Sequence, residues 1–250
     1  MFQNRKLPVV FAGPSLSQLS EIERCRIDLR PPVRRGDLQA LLSIDSPRTV
    51  ILIDGLFGTS MSVTPTECRH LLQKGWLVVG ASSMGALRAS ELWSLGMVGV
   101  GDVFTLFRIG VLRSDADVAV AYHPDTFEEI TASLVHVRSI LSVLEQSAKI
   151  SGLEARKLLN YAQRIYWYER SWQYLLAIWS SLGIDEDVIQ TAKYLVADYR
   201  FHPKKRDALL AVRSVLAGRW TAWPDMGIPK NDVSSTNQKT AGGSAGKSLG

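Results

Sequence analysis

A four-residue turn, Ser82-Ser83-Met84-Gly85, carries the clearest potential for chemistry in this chain. A serine at a tight strand-to-helix turn exposes its hydroxyl, and the N–H groups of the following helix suit an oxyanion, a carboxylate or a phosphate. Small residues, Ala81 and Gly85, stand two positions before and two positions after Ser83. This pattern differs from the Gly-x-Ser-x-Gly nucleophile elbow only in having Ala81 in place of the first glycine. The pattern predicts either a nucleophilic Ser83 or a helix cap made by Ser82 or Ser83.

A nucleophilic serine needs a base, and lysines and histidines are the candidates. Lys204 and Lys205 begin a late helical segment, where they supply an amine or form a solvated first turn. His123 is the favoured histidine because it lies where the two halves of the chain meet, whereas each other histidine taken alone is expected to be structural or solvated. Arg88, about one turn into the helix after Ser83, either reaches an anionic ligand or forms a surface ion pair.

The apolar run Thr49–Ile53 predicts a buried central strand that ends at Asp54-Gly55. In open α/β sheets, ligands bind outside the carboxyl ends of the strands. Gly13-Pro14-Ser15, Asp54-Gly55 and the Ser82-Ser83 turn are three such ends, so they are expected to converge on one crevice. Asp54 is equally consistent with a plain turn residue. The expected binding residues are Asp54, Gly55, Ser82, Gly85, Arg88 and His123.

The elements that position these residues alternate between strand and helix up to about residue 123 and are helical beyond it. The fold class predicted is α/β: an N-terminal, mostly parallel sheet with flanking helices, followed by an all-helical C-terminal half. The expected organisation is an α/β core over residues 1–123, a helical lobe over 124–222 and a disordered tail over 223–250. The tail is rich in Gly, Ser, Thr and Lys and has no apolar periodicity.

Composition argues against several classes of function. The net charge of +5 is mild, and no Lys/Arg run with interleaved aromatic residues suggests a nucleic-acid partner. No apolar run approaches the roughly 20 residues that span a bilayer, and the first residues do not resemble a signal peptide. Cys25 and Cys68 have neither CxxC spacing nor a histidine cluster, so no metal ligands are predicted. The expectation is a cytoplasmic protein without membrane or nucleic-acid partners.

An ordered series of motifs resembles the TfuA family and covers roughly residues 9 to 125. The most specific motif runs from Gly80 to Leu92 and includes the sequence Ser-Met-Gly-Ala-Leu-Arg-Ala. A weaker match lies in the helical half, at residues 204–208. The remaining motifs are Gly13-Pro14-Ser15, Pro31-Pro32 with Gly36-Asp37, Ile53–Phe57, Gly96–Gly101 and Asp117–Val120.

The resemblance implies a function beside YcaO enzymes, which use ATP to activate a peptide amide oxygen that sulfur then replaces. A TfuA-like protein is expected to hydrolyse the C-terminal thiocarboxylate of a ThiS-like sulfur-carrier protein, and to help YcaO engage its ribosomal precursor peptide. It is expected to need no cofactor of its own. The family pattern also implies a serine–lysine pair, and Ser83 falls in the matching motif. The aligned lysine position is Thr66 here, so either Lys205 or Lys204 supplies the amine, or the chain acts as a non-catalytic adaptor.

Overall fold

A computed structural model describes residues 7–43, 47–58 and 60–220 of the chain. Five parallel strands form one sheet in the order β2-β1-β3-β4-β5. The predicted tail at 223–250 lies outside the described residues. The strands are β1 (Val9–Phe11), β2 (Asp28–Arg30), β3 (Thr49–Leu52), β4 (Leu77–Ala81) and β5 (Val98–Val100).

Helices flank the sheet and make up the second half of the chain. They are α1 (Glu21–Arg24), α2 (Asp37–Leu41), α3 (Pro65–Gln73), α4 (Met84–Leu92), α5 (Gly101–Arg108), α6 (Leu134–Gln146), α7 (Gly152–Arg164), α8 (Trp172–Ser181), α9 (Glu186–Ala197) and α10 (Pro203–Leu216). No strand occurs between residue 130 and residue 220, all of which are described. The predicted fold class is therefore confirmed. None of the helices in the described part of the chain has both the length and the apolar character needed to span a membrane.

The two faces of the sheet are covered by different helices, because alternate residues of a strand point to opposite faces. Val9, Val50 and Val78 pack with apolar side chains of α2, α3 and α4. Val10, Ile51 and Val79, one position further along the same strands, pack with α10. Helices α6 to α9 share a separate apolar core. The last helix of the predicted helical lobe therefore lies on the sheet, which brings its first turn close to the strand ends.

The strand order places the expected crevice at a defined edge of the sheet. In the order 2-1-3-4-5, the chain reverses its direction of growth between β1 and β3, and ligands bind at the carboxyl ends of strands at such a switch point. The segments that leave those strands are Gly13-Pro14-Ser15 and Asp54-Gly55. The turn after β4 lies beside them.

A buried carboxylate fixes the start of α10 against the start of α5. Asp207 accepts hydrogen bonds from the N–H groups of Asp102 (3.0 Å) and Val103 (2.8 Å). Gly101 has φ +92°, and a Cβ at this position would lie 2.1 Å from the Asp207 carboxyl carbon, so no larger residue fits without a shift. Burial raises the pKa of Asp207 to about 7, although the two N–H groups oppose that rise. These contacts hold Lys204 and Lys205, in the first turn of α10, close to the sheet.

Candidate functional site

The turn between β4 and α4 is built on two glycines that allow very close packing. A Cβ at Gly85 would lie 1.7 Å from the carbonyl oxygen of Leu52, and one at Gly80 would lie 2.1 Å from the carbonyl oxygen of Gly85. Both distances are impossible for a real side chain, so glycine is required at each position. The first turn of α4 therefore sits directly against the end of β3, which places Ser83 next to Asp54.

Ser82 and Ser83 occupy different environments in this turn. Ser82 has φ +70°, the unfavourable left-handed region, and its buried hydroxyl has no hydrogen-bond partner among the described residues. Ser83 stands at the N-cap position of α4 with φ −114° and ψ −112°, and its side chain makes no capping hydrogen bond. Ser83 lines a cavity and Ser82 does not. Ser82 therefore has the strained backbone that a nucleophile elbow requires, whereas Ser83 is the serine that lines the cavity.

Some backbone N–H groups at the start of α4 already donate hydrogen bonds within the protein. The N–H groups of Ser83 and Gly85 both donate to the carbonyl oxygen of Ile53, each at 3.2 Å. Among the described residues, no hydrogen bond is found for the N–H of Met84, the first residue of the helix. The Ala86 N–H likewise has no hydrogen bond within the described part of the chain, and of these two donors the Met84 N–H directly follows Ser83. The helix dipole would support an oxyanion at this position.

The cavity beside Ser83 has a volume of about 600 Å³ and opens at the carboxyl edge of the sheet. Ser83, Asp54, Gly55 and Lys204 all line it, as does Tyr122. The fold thus places a serine, a lysine and the end of the central strand around one cavity, and their roles stay predictions. Burial raises the pKa of the Tyr122 hydroxyl, and the Asp54 carboxylate adds to this.

Asp54 holds the loop after β1 in place. Its carboxylate accepts hydrogen bonds from the N–H of Gly13 (2.9 Å), the N–H of Ser15 (3.0 Å) and the hydroxyl of Ser15 (2.7 Å). Three donors satisfy most of what a buried carboxylate requires. The geometry therefore shows Asp54 as a residue that shapes the cavity wall, and its role toward a ligand stays a prediction.

The two candidate lysines are adjacent in α10 but line different cavities. Lys204 is almost completely buried, with 1% of its surface exposed, and its ammonium group donates to Oε1 of Glu129 at 3.3 Å. Lys205 lines a second cavity, which has a volume of about 1040 Å³. Of the two alternatives left by the sequence, Lys204 is the one that shares a cavity with Ser83.

Glu129 is the hub of a buried charged network. Its Oε2 lies 2.9 Å from Nε2 of His202, and its Oε1 accepts from Lys204. Burial alone would raise the pKa of Glu129, but the charge of Lys204 and the interaction with His202 hold it well below its usual range. Glu129 is therefore ionised, and it provides a fixed negative charge beside the lysine.

Four of the predicted binding residues do not line the Ser83 cavity: Ser82 and Gly85, which lie in the turn itself, and Arg88 and His123. Arg88 donates to the carbonyl oxygen of Val63 (2.8 Å) and forms an ion pair with Glu91 (2.7 Å), which matches the second of its predicted alternatives. His123 is exposed, and its Nδ1 accepts from the N–H of Asp125 at 3.3 Å. The structure does not bring either side chain to Ser83.

Several residues around the two cavities were not predicted from the sequence. Tyr122 lines the Ser83 cavity, while Glu129, His136 and His202 line the larger one. His202 directly precedes Pro203-Lys204, so its closeness to the lysine is visible in the sequence once a helix start is assigned there. Nothing in the local pattern marks Glu129 or His136, because their partners are about 70 positions away.

Comparisons with known proteins bear on the family. A search of curated proteins finds no match. A family model described as TfuA-like protein matches residues 54–171. The matched segment begins at Asp54 and includes the Ser83 turn and Glu129, whereas Lys204 lies beyond it. The match confirms, over this segment, the resemblance to the TfuA family predicted from the sequence motifs.

Proposed function

We propose that this protein hydrolyses the C-terminal thiocarboxylate of a ThiS-like sulfur carrier and supplies the sulfide to a YcaO partner for peptide backbone thioamidation. The observation that carries the proposal is the shared cavity of Ser83 and the buried Lys204. The match of residues 54–171 to the TfuA-like protein family model supports it. The hydrolysis needs water but no cofactor, and ATP would be used by the YcaO partner on the precursor peptide.

The first step binds and neutralises the thiocarboxylate. A thiocarboxylate anion resists attack by a nucleophile because its negative charge is spread over the reacting group. The Lys204 ammonium group supplies the opposing charge from an almost completely buried side chain, where such a charge acts strongly. Transfer of one Lys204 proton to the sulfur gives a neutral thioacid and a neutral amine.

The second step forms an ester at Ser83. The Ser83 Oγ attacks the carbonyl carbon while the Lys204 amine accepts its proton, and the carbon–sulfur bond breaks to release hydrosulfide. Met84 N–H stabilises the negative charge that develops on the carbonyl oxygen. Water then attacks the ester carbonyl and the bond to Ser83 Oγ breaks. One proton of the water restores the Ser83 hydroxyl, and the other is released to solvent as the carrier carboxylate forms. In this scheme Glu129 holds Lys204 in place and stabilises its charged form before and after the transfer.

A second candidate function is an adaptor that tightens YcaO on its peptide. The observation that favours it is the ion pair between Lys204 and Glu129, because loss of the lysine proton would leave a buried carboxylate without its cation. In that case the cavity recognises an anionic C-terminus without cleaving it. Sulfide release by the isolated protein separates the two functions.

The adjacent lysines provide a matched test of the proposed function. Lys204→Met is expected to lower sulfide release from a thiocarboxylated carrier by about 10²-fold or more, since it removes both the charge and the proton acceptor. Lys205→Met removes an equal charge one residue away, but in the other cavity, and is expected to retain activity within a factor of about three. The measurement is the initial rate of sulfide release, with circular dichroism as a check on folding. Equal losses in both variants, or a loss confined to Lys205→Met, would show that Lys204 is not part of the reaction.

A further inference from the structure

Three potential metal ligands meet in the wall of the larger cavity. The ligand atoms of Glu129, His136 and His202 all lie within 4.8 Å of one another. Glu129 precedes α6, His136 lies in its first turn, and His202 is the N-cap of α10, so the cluster forms only when α10 packs across the start of α6. None of the three residues lines the Ser83 cavity.

His136 is a buried imidazole without a partner. It is 2% exposed, and neither Nδ1 nor Nε2 has a hydrogen-bond partner among the described residues. Its ring lies 3.9 Å from the ring of His202, centroid to centroid, and meets the ring of Trp172 edge-on. An unpaired buried polar group costs stability, and a neutral imidazole is a common metal ligand. A bound metal ion would satisfy this group.

The Glu129 carboxylate can serve a metal ion without losing its lysine. Oε2 faces His202 Nε2 at 2.9 Å, whereas Oε1 faces Lys204 at 3.3 Å. A divalent ion would replace the proton between Oε2 and Nε2, and the second oxygen would stay with the lysine. The displaced ring proton would move to Nδ1 of His202, which now accepts only a long contact of 3.5 Å from the Lys205 N–H. The cost of losing that contact is small.

We propose that Glu129, His136 and His202 form a binding site for a divalent transition-metal ion, with Zn²⁺ as the preferred occupant. Two imidazoles and one carboxylate are the ligand set of many zinc sites that keep a fourth position for water or an anion. The cavity of about 1040 Å³ beside the cluster has room for such a fourth ligand. The site lies in a different cavity from Ser83 but shares Glu129 with the proposed hydrolysis, in which the same carboxylate holds Lys204. Zn²⁺ binding can be measured whether or not Ser83 is catalytic.

The test measures binding of Zn²⁺ itself to the full chain after treatment with a chelator and dialysis. Calorimetric titration is expected to give one equivalent of Zn²⁺, and Co²⁺ is expected to give the visible absorption of a four-coordinate site without a thiolate charge-transfer band. His136→Phe keeps the edge-on contact with Trp172 and removes no hydrogen bond, so it should fold. It is expected to weaken Zn²⁺ binding by at least about 100-fold, because even indirect partners of metal ligands contribute 10- to 100-fold.

Two comparisons guard against adventitious binding. His123→Phe removes an exposed histidine outside the cluster and is expected to bind Zn²⁺ as the wild type does. Glu129→Gln is expected to weaken binding to a similar extent as His136→Phe. Absence of a one-equivalent site in the wild type, unchanged affinity in folded His136→Phe, or loss of binding in His123→Phe would each overturn the proposal.

Discussion

Ser83→Ala is expected to lower sulfide release from a thiocarboxylated carrier by about 10³-fold or more, with the fold retained. The size of the loss follows from the way a nucleophile and its proton acceptor act as a unit, so that removing one forfeits the contribution of both. Stability should change little, because the Ser83 side chain makes no capping hydrogen bond that alanine would lose. The measurement pairs the rate of sulfide release with the thermal midpoint of unfolding.

Ser82→Ala is the matched control in the same turn. It removes a buried hydroxyl that has no hydrogen-bond partner in the described part of the chain, at a position with φ +70° where alanine is no more strained than serine. Its stability should stay within about 1 kcal/mol of the wild type, and its activity should be retained. If Ser82→Ala abolished sulfide release and Ser83→Ala did not, the nucleophile would be the strained serine, and the assignment made from cavity exposure would be wrong.

Glu129→Gln is expected to destabilise the protein by about 3–5 kcal/mol, because it leaves the buried Lys204 ammonium group without its counter-charge. Chemical denaturation measures this loss. The double variant Glu129→Gln/Lys204→Met removes both charges, and it should be more stable than Glu129→Gln alone. A cost below about 1 kcal/mol for Glu129→Gln would show that the ion pair does not hold the network together.

The same pair predicts a pH dependence. The folded protein holds the pKa of Glu129 well below its ordinary value of 4.5, so the stabilisation from this carboxylate is present above that pH. It is lost as the pH falls from about 4.5 toward the lowered value. The free energy of unfolding of the wild type, relative to that of the double variant, should therefore fall on acidification. A difference that stayed constant from pH 7 to pH 3 would contradict this assignment.

Local patterns were sufficient to predict the framework around Ser83. The apolar run at Thr49–Ile53 and the small residues around Ser83 depend on neighbouring residues alone, and the structure confirms a strand at the first and a helix start at the second. The short strands β2 and β5 were not predicted, since three residues carry little periodicity. Their places in the sheet are set by pairing with β1 and β4.

The charged network illustrates what the sequence alone could not provide. Lys204 and Lys205 are adjacent and chemically alike, and only the packing of α10 on the sheet decides which of them faces the Ser83 cavity. Glu129 and His202 are 73 residues apart, so their contact follows from the tertiary arrangement of the two halves. Local sequence patterns therefore do not reveal that Glu129 is the counter-ion of Lys204, or that His136 and His202 are in contact.

Release of sulfide in H₂¹⁸O, without YcaO or ATP, tests most directly whether the protein alone cleaves the carrier thiocarboxylate. Hydrolysis through an ester at Ser83 predicts equal amounts of sulfide and carrier carboxylate, with one ¹⁸O atom in each new carboxylate. It also predicts an ester of the carrier on the peptide that contains Ser83. Mass spectrometry of the carrier and of that peptide detects both products. A carrier that keeps its sulfur in the presence of the isolated protein, and loses it only when YcaO is added, would contradict the claim and support the adaptor function.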